Sequence, residues 1–69
     1  MKNRIQALRE AMGLTQEEVA RRVGVTRQTI NAIENNKYNP TLELAFRLAR
    51  LFGSRVDDVF VYEPKEGPK

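Results

Sequence analysis

Between positions 27 and 35 the chain sets Arg27, Gln28, Thr29, Asn31, Ala32 and Asn35 around two isoleucines, Ile30 and Ile33. Placed on a helix turning about 100° per residue, with Ile30 and Ile33 marking the buried direction, Gln28, Asn31, Ala32 and Asn35 fall on the opposite face. Arg27 and Thr29 lie on the flanks of the first turn, where a long arginine can still swing outward. An amide donates and accepts at once, which matches the donor and acceptor that adenine presents side by side. Arginine matches the two acceptors of guanine, and a methyl side chain such as that of Ala32 can meet the thymine methyl. The chemistry open to this face is recognition of base edges, not bond making. Amides also solvate ordinary surface helices, and the face by itself leaves both readings open.

The rest of the composition narrows the choice. The chain has neither cysteine nor histidine, which excludes disulfides, zinc sites built on sulfur or imidazole, and nucleophile–imidazole catalysis. Asp57 and Asp58 are adjacent, and consecutive helical residues point about 100° apart, so capping explains them better than a paired catalytic or metal-binding role. An enzyme is therefore not expected, and neither is a cofactor. No run of about 18 apolar residues could span a bilayer, and Met1-Lys2-Asn3-Arg4 does not open an apolar signal core. We expect a soluble, unexported, cytoplasmic protein, for which the lack of cysteine is compatible with a reducing compartment. The formal charge is +3, and it is unevenly spread: residues 1–40 carry seven Lys/Arg against four acids, while residues 41–69 carry five of each.

The elements that would position the amide-rich face can be read from spacing and caps. Ile5, Leu8 and Met12 recur at helical intervals over 3–12, closed by Gly13, with Leu14 packing in the turn. Thr15 with Glu18 forms a capping box for a second helix over 16–23, whose inner face is Val19, Ala20 and Val23 and whose stop is Gly24. Only Gly24 and Val25 separate it from Thr26, the cap of a third helix over 27–35, so the two helices meet at a sharp corner. Asn36, Lys37, Tyr38, Asn39 and Pro40 form a loop in which Asn36 can turn left-handed. Thr41 caps a fourth helix over 42–52, with Leu44, Ala45, Leu48, Leu51 and Phe52 on one side and Gly53 at its end. Ser54 with Asp57 resembles a further cap, for a single turn over 55–58. The four β-formers Val59, Phe60, Val61 and Tyr62 then predict a short strand, paired either with residues 1–4 or with its counterpart in a second subunit.

The whole span resembles the Cro/CI-type (XRE) helix-turn-helix family. The residues that carry the likeness run from Thr15-Gln16-Glu17-Glu18-Val19-Ala20 through Val25-Thr26-Arg27-Gln28-Thr29-Ile30 to Ile33-Glu34-Asn35, and extend to Leu8-Arg9, Asn39-Pro40-Thr41 and Leu44-Ala45. The resemblance covers about residues 4–60. It implies a mainly α, five-helix, lambda-repressor-like DNA-binding domain with a short carboxy-terminal strand, in which the third helix enters the major groove. The complete chain is similar to small stand-alone regulators of the cytolysin-regulator kind, which bind DNA as dimers. Domain boundaries follow: 1–63 for the DNA-binding domain and 64–69 for a mobile tail.

By resemblance Arg27, Gln28, Asn31 and Ala32 fall on base-facing positions. Gln16, at the first turn of the second helix, matches an amide that contacts a backbone phosphate, where the helix terminus itself attracts anions. Thr26, Thr29, Asn35, Lys37, Tyr38 and Asn39 are further phosphate candidates; the alternative is that Thr26 only caps and Tyr38 only packs, although capping and phosphate contact can coexist. Arg9 and Glu34 match a structural ion pair between the first and third helices. Arg21 and Arg22 follow Glu17 and Glu18 at i+4, and Arg47 and Arg50 are available to Glu43, so these charges are assigned to helix surfaces. Arg4 and Lys2 remain candidates for flanking backbone contacts.

A domain of 69 residues buries only about 60% of its unfolded surface, so association is a natural route to stability. Val56, Val59, Phe60, Val61 and Tyr62 exceed what one side of so small a domain needs, and they are the expected dimer interface. The expected partners are double-stranded DNA and a second copy of the chain, with no membrane and no evident small-molecule effector. The expected function is transcriptional repression at a palindromic operator. A protein-interaction module, such as the antitoxin of a toxin–antitoxin pair, ranks below it because the tail is short.

Overall fold

The computed structural model describes residues 1–62, and the tail expected over 64–69 lies outside the described residues. Elements follow in the order β1 (Lys2–Asn3), α1 (Ile5–Ala11), α2 (Gln16–Val23), α3 (Arg27–Glu34), α4 (Leu42–Leu51), α5 (Val56–Val59) and β2 (Phe60–Val61). Helix boundaries are set largely by side chains within four residues. The Thr15 hydroxyl accepts the Glu18 N–H at 3.0 Å while the Glu18 carboxylate accepts the Thr15 N–H at 2.8 Å, closing the expected capping box at the start of α2. Thr26 and Thr41 accept the Thr29 and Leu44 N–H groups, each at 3.2 Å, and start α3 and α4 in the same way.

All five helices and the strand contribute to one core. Ile5, Val19, Ile30, Ile33, Leu48 and Val59 are fully buried, with Ala20, Val23, Leu44, Ala45, Ala49 and Phe60 around them. Each large member contributes about 1.5–3 kcal/mol by leaving water, so this one cluster holds every helix in place. Among the described residues, no helix is long and apolar enough to cross a membrane.

Three expectations need correction, each for a tertiary reason. The first helix begins at Ile5, two residues later than its periodicity suggests, because Lys2 and Asn3 pair antiparallel with Val61 and Phe60. Asn3 then acts as the local cap, its Oδ1 accepting the Ile5 N–H at 3.1 Å. The last helical turn runs over Val56–Val59, one residue later than expected, and Ser54 is not its cap. Ser54 Oγ donates to the Phe52 carbonyl, while Asp58, not Asp57, accepts the Arg55 N–H at 3.4 Å. Val59 therefore closes α5 instead of opening the strand. Of the two pairings left open, β2 takes the one within the chain, reinforced by the Arg4 N–H on the Val59 carbonyl at 2.7 Å.

Candidate nucleic-acid interface

The corner between α2 and α3 is built from short-range geometry. Gly24 has φ of +82°, a conformation that costs glycine little and other residues about 1–2 kcal/mol. The Val25 N–H reaches back to the Ala20 carbonyl at 2.9 Å, and Thr26 then caps α3. From α4, Arg47 Nη1 donates to the Val23 carbonyl at 3.2 Å and Nη2 pairs with Glu43 at 2.6 Å. A cation at the carbonyl end of α2 both satisfies an orphan acceptor and opposes the helix dipole.

The other end of α3 is equally well held. Asn36 adopts φ of +61°, its N–H meets the Ile33 carbonyl at 3.0 Å, and the Lys37 N–H meets the Ala32 carbonyl at 2.9 Å. These two bonds form a Schellman motif with asparagine in the left-handed position. Asn3 of β1 adds its amide N–H groups to the Ile33 carbonyl at 2.8 Å and to Asn36 Oδ1 at 3.3 Å. The amino-terminal strand thus fixes the exit of α3, a link with no signature in local spacing.

Between these anchors α3 buries Ile30 and Ile33 and exposes Arg27, Gln28, Asn31 and Asn35. Ala32 is half-buried at the edge of this face. Arg27 and Gln28 are exposed at the start of α3, with no hydrogen-bond or ionic partner among the described residues. Asn31 and Asn35 are joined, Asn35 Nδ2 donating to Asn31 Oδ1 at 3.2 Å. Around the face lie the remaining candidates. Gln16 is half-buried at the start of α2, and Thr26 and Thr29 share a hydroxyl contact of 3.1 Å at the start of α3. Lys37, Tyr38 and Asn39 are exposed on the following loop, with Asn39 Oδ1 3.5 Å from the amino terminus. Thr26 does serve as a cap. Tyr38 borders a cleft with Val25, Thr29 and Leu44 while leaving much of its ring exposed.

The exposed face of α3 carries no acid of its own, and Glu17 of α2 shares a cleft with Arg27 and Gln28. Glu34, the sole acid of α3, turns away from the exposed face and accepts from Arg9 Nε at 2.8 Å and Nη2 at 3.2 Å. The two side chains are 13% and 5% exposed for arginine and glutamate respectively. The hydrogen bond to Glu34 holds the Arg9 guanidinium pKa above its ordinary value, against the opposing effect of burial. Arg9 Nη1 also donates to the Leu14 carbonyl at 3.1 Å, so the pair is satisfied on several sides. The expected i+4 pairs of α2 do not form. Glu18 is committed to its cap, where the Thr15 N–H holds its carboxyl below the usual carboxylate range, and no ion pair joins Glu17 to Arg21 among the described residues. Arg47, not Arg50, takes Glu43. Arg4 is used internally, with Nη1 on the Asp58 carbonyl at 2.9 Å.

The expected dimer residues divide. Val59 and Phe60 are 0% and 6% exposed, so their side chains are largely taken up by the protomer's own core. Val56 and Val61 are half-buried, and Tyr62 is 76% exposed. The apolar surface extends where it was not expected, on α4, with Leu42 71% and Phe46 52% exposed. Met1, Pro40, Leu42, Ala45, Val56 and Phe60 line one groove beside them. The signal was present in the fourth helix: Leu42 and Phe46 are four apart and lie roughly 170° from the stripe of Leu44, Leu48 and Leu51.

Comparisons with known proteins agree with this arrangement. A helix-turn-helix family model matches residues 5–59. An uncharacterised HTH-type transcriptional regulator of Methanocaldococcus jannaschii is 50% identical over 66 residues, covering 96% of this chain and 100% of that protein. Another from Methanothermobacter thermautotrophicus is 49% identical over 70 residues, covering 100% of both. Among solved structures, the restriction-modification controller protein C.AhdI from Aeromonas hydrophila superposes with a TM-score of 0.76 at 30% identity, over 83% of this chain and 86% of that one. With its five helices, its α2–α3 corner and its matched sequence, the chain belongs to the XRE-type helix-turn-helix family of DNA-binding transcriptional regulators.

Proposed function

We propose that this regulator is a non-catalytic, sequence-specific repressor, acting in the cytoplasm as a homodimer on a roughly palindromic operator. The observation that carries the reading is the exposed face of α3, which presents arginine and amide side chains while the helix's one acid, Glu34, is locked against Arg9. In this reading α3 lies in the major groove with Arg27, Gln28, Asn31 and Ala32 toward base edges. Gln16, Thr26, Thr29, Asn35, Lys37, Tyr38 and Asn39 surround that face and hold the flanking phosphates, which sets register without reading sequence. Repression needs nothing beyond occupancy of the site.

The dimer is supported by a second feature. One helix of eight residues reads few base pairs, and a two-fold partner would place two such helices about 34 Å apart, one turn of DNA. The exposed apolar side chains of Leu42, Phe46 and Tyr62, with half-buried Val56 on the groove beside Leu42, offer a surface for that partner.

Selection of sites from random duplex DNA, followed by gel shift across a salt series, tests the reading. Expected are two inverted half-sites about one helical turn apart and affinity that falls steeply with salt. Failure to retain any duplex at low salt overturns the DNA reading, and selection of a single unpaired half-site overturns the dimer.

A further inference from the structure

The ion pair between α1 and α3 does not end at its two members. Glu34 Oε1 accepts not only from Arg9 but also from Gln16 Nε2, at 3.0 Å. Asn31 Nδ2 lies 3.5 Å from Gln16 Oε1, and Asn31 Oδ1 accepts from Asn35 Nδ2 at 3.2 Å. Four side chains from two helices therefore form one chain of contacts, running from a nearly buried carboxylate to an exposed amide on the base-facing side.

The order of donors and acceptors along that chain is dictated by its root. An ionised carboxylate only accepts, so Gln16 must turn its NH₂ toward Glu34; the opposite flip would set two acceptors against each other. Gln16 Oε1 is then left facing Asn31, which must answer with its own NH₂ and present Oδ1 to Asn35. With these contacts made, the Asn31 amide retains one free N–H and one free lone pair. That is the set that adenine complements, N7 accepting and the N6 amino group donating. Gln16 retains a second N–H for a phosphate oxygen, so its two proposed tasks are compatible.

Resting on the DNA reading above, we infer that Glu34 is a positioning residue for base recognition: through Gln16 it fixes the Asn31 amide in the orientation that selects adenine. Charge on the carboxylate strengthens each bond downstream of it, because polarised chains of hydrogen bonds reinforce one another. Asn31 is the specificity-determining residue of the chain, and Gln16 is the link.

The test uses the full-length protein and the duplex that the wild type selects from random DNA. Asn31→Ala identifies the base pair that Asn31 reads, as the position whose preference it abolishes; the preferred base there is expected to be adenine. Gln16→Ala leaves the Arg9–Glu34 pair intact and removes the link. It should lower the preference for adenine at that base pair by about fivefold or more, in addition to weakening all sequences, and Gln16→Ala combined with Asn31→Ala should discriminate no worse than Asn31→Ala alone. Glu34→Gln, measured at a temperature where circular dichroism shows it folded, should lose discrimination at the same base pair, since a neutral amide can face Gln16 with either end.

A purely structural role for Glu34, or a purely phosphate-binding role for Gln16, would weaken every sequence alike and leave the ratio unchanged. Preference retained within about twofold in Gln16→Ala, no base pair assignable to Asn31, or a preferred base other than adenine there overturns the inference. If the wild type selects no site at all, the DNA reading itself fails. That result is distinct from a selected site whose Asn31 preference ignores Gln16.

Discussion

Arg9 and Glu34 meet side-on, two guanidinium nitrogens on two carboxylate oxygens at 2.8 and 3.2 Å, and so join α1 to the exposed helix of the DNA-binding corner. The pair is nearly dry, and the consequence of breaking it is asymmetric. Removing one partner leaves a buried charge without compensation, whereas replacing both by apolar groups of similar size removes the charge altogether. Arg9→Met should therefore lower unfolding stability by about 3–5 kcal/mol, and the double variant Arg9→Met with Glu34→Leu should recover most of that loss. Urea denaturation measures both. A loss below about 1 kcal/mol in the single variant would show that the pair behaves as an exposed one.

Glu18 supplies a pH dependence with a definite sign. Its carboxyl is held below the ordinary value chiefly by the Thr15 N–H. A depressed pKa in the folded state means that the cap's contribution is fully present above the unfolded value, near 4.3, and is lost as pH falls through the folded value. Glu18→Gln should flatten the fall in melting temperature between about pH 5 and pH 3 relative to wild type. Parallel profiles for the two proteins in thermal melts would remove Glu18 from the acid response.

Gln28 and Lys37 should separate reading from holding. Gln28→Ala is expected to cost roughly 1–3 kcal/mol on the selected site and to spare non-specific binding. Lys37→Ala should weaken all sequences alike and flatten the salt slope by about one. Binding isotherms on the selected and scrambled duplexes at several salt concentrations distinguish the two patterns, and their exchange would exchange the roles.

Phe46 lies on the exposed side of α4, outside the core. Phe46→Glu should leave the melting curve of the protomer nearly unchanged while shifting the sedimentation coefficient at micromolar concentration from dimer to monomer. Affinity for the full palindrome should fall to that for a half-site. A stable dimer of this variant would place the interface elsewhere, and a monomeric wild type would dispose of the dimer reading.

How much of this was legible beforehand depends on the distance over which each cause acts. The capping box of Thr15 and Glu18, the Thr26 and Thr41 caps, the left-handed Gly24 and Asn36 and the amphipathic stripes all operate within about four residues. Such signals survive in a one-dimensional reading, and they placed the fold and the α3 face. The apolar excess near the carboxy terminus was also visible, but its destination was not. Whether Val59 and Phe60 face a partner or their own chain is decided by β2 pairing with β1, across almost the full described length. Once that pairing is made, the interior takes both side chains, and Tyr62, Leu42 and Phe46 are left as exposed apolar surface.

The α3 helix shows the same division on a smaller scale. Its residue types and their spacing determine which side chains face outward, because helical geometry alone sorts Ile30 and Ile33 from Gln28, Asn31 and Asn35. Their orientation is another matter. The Asn31 amide is set by Gln16, Gln16 by Glu34 and Glu34 by Arg9, contacts that span 15, 18 and 25 positions of sequence. Only the packing of α1, α2 and α3 against one core brings these groups within bonding distance. The sequence by itself therefore determined which face is presented, and the tertiary structure decided how its atoms are aimed.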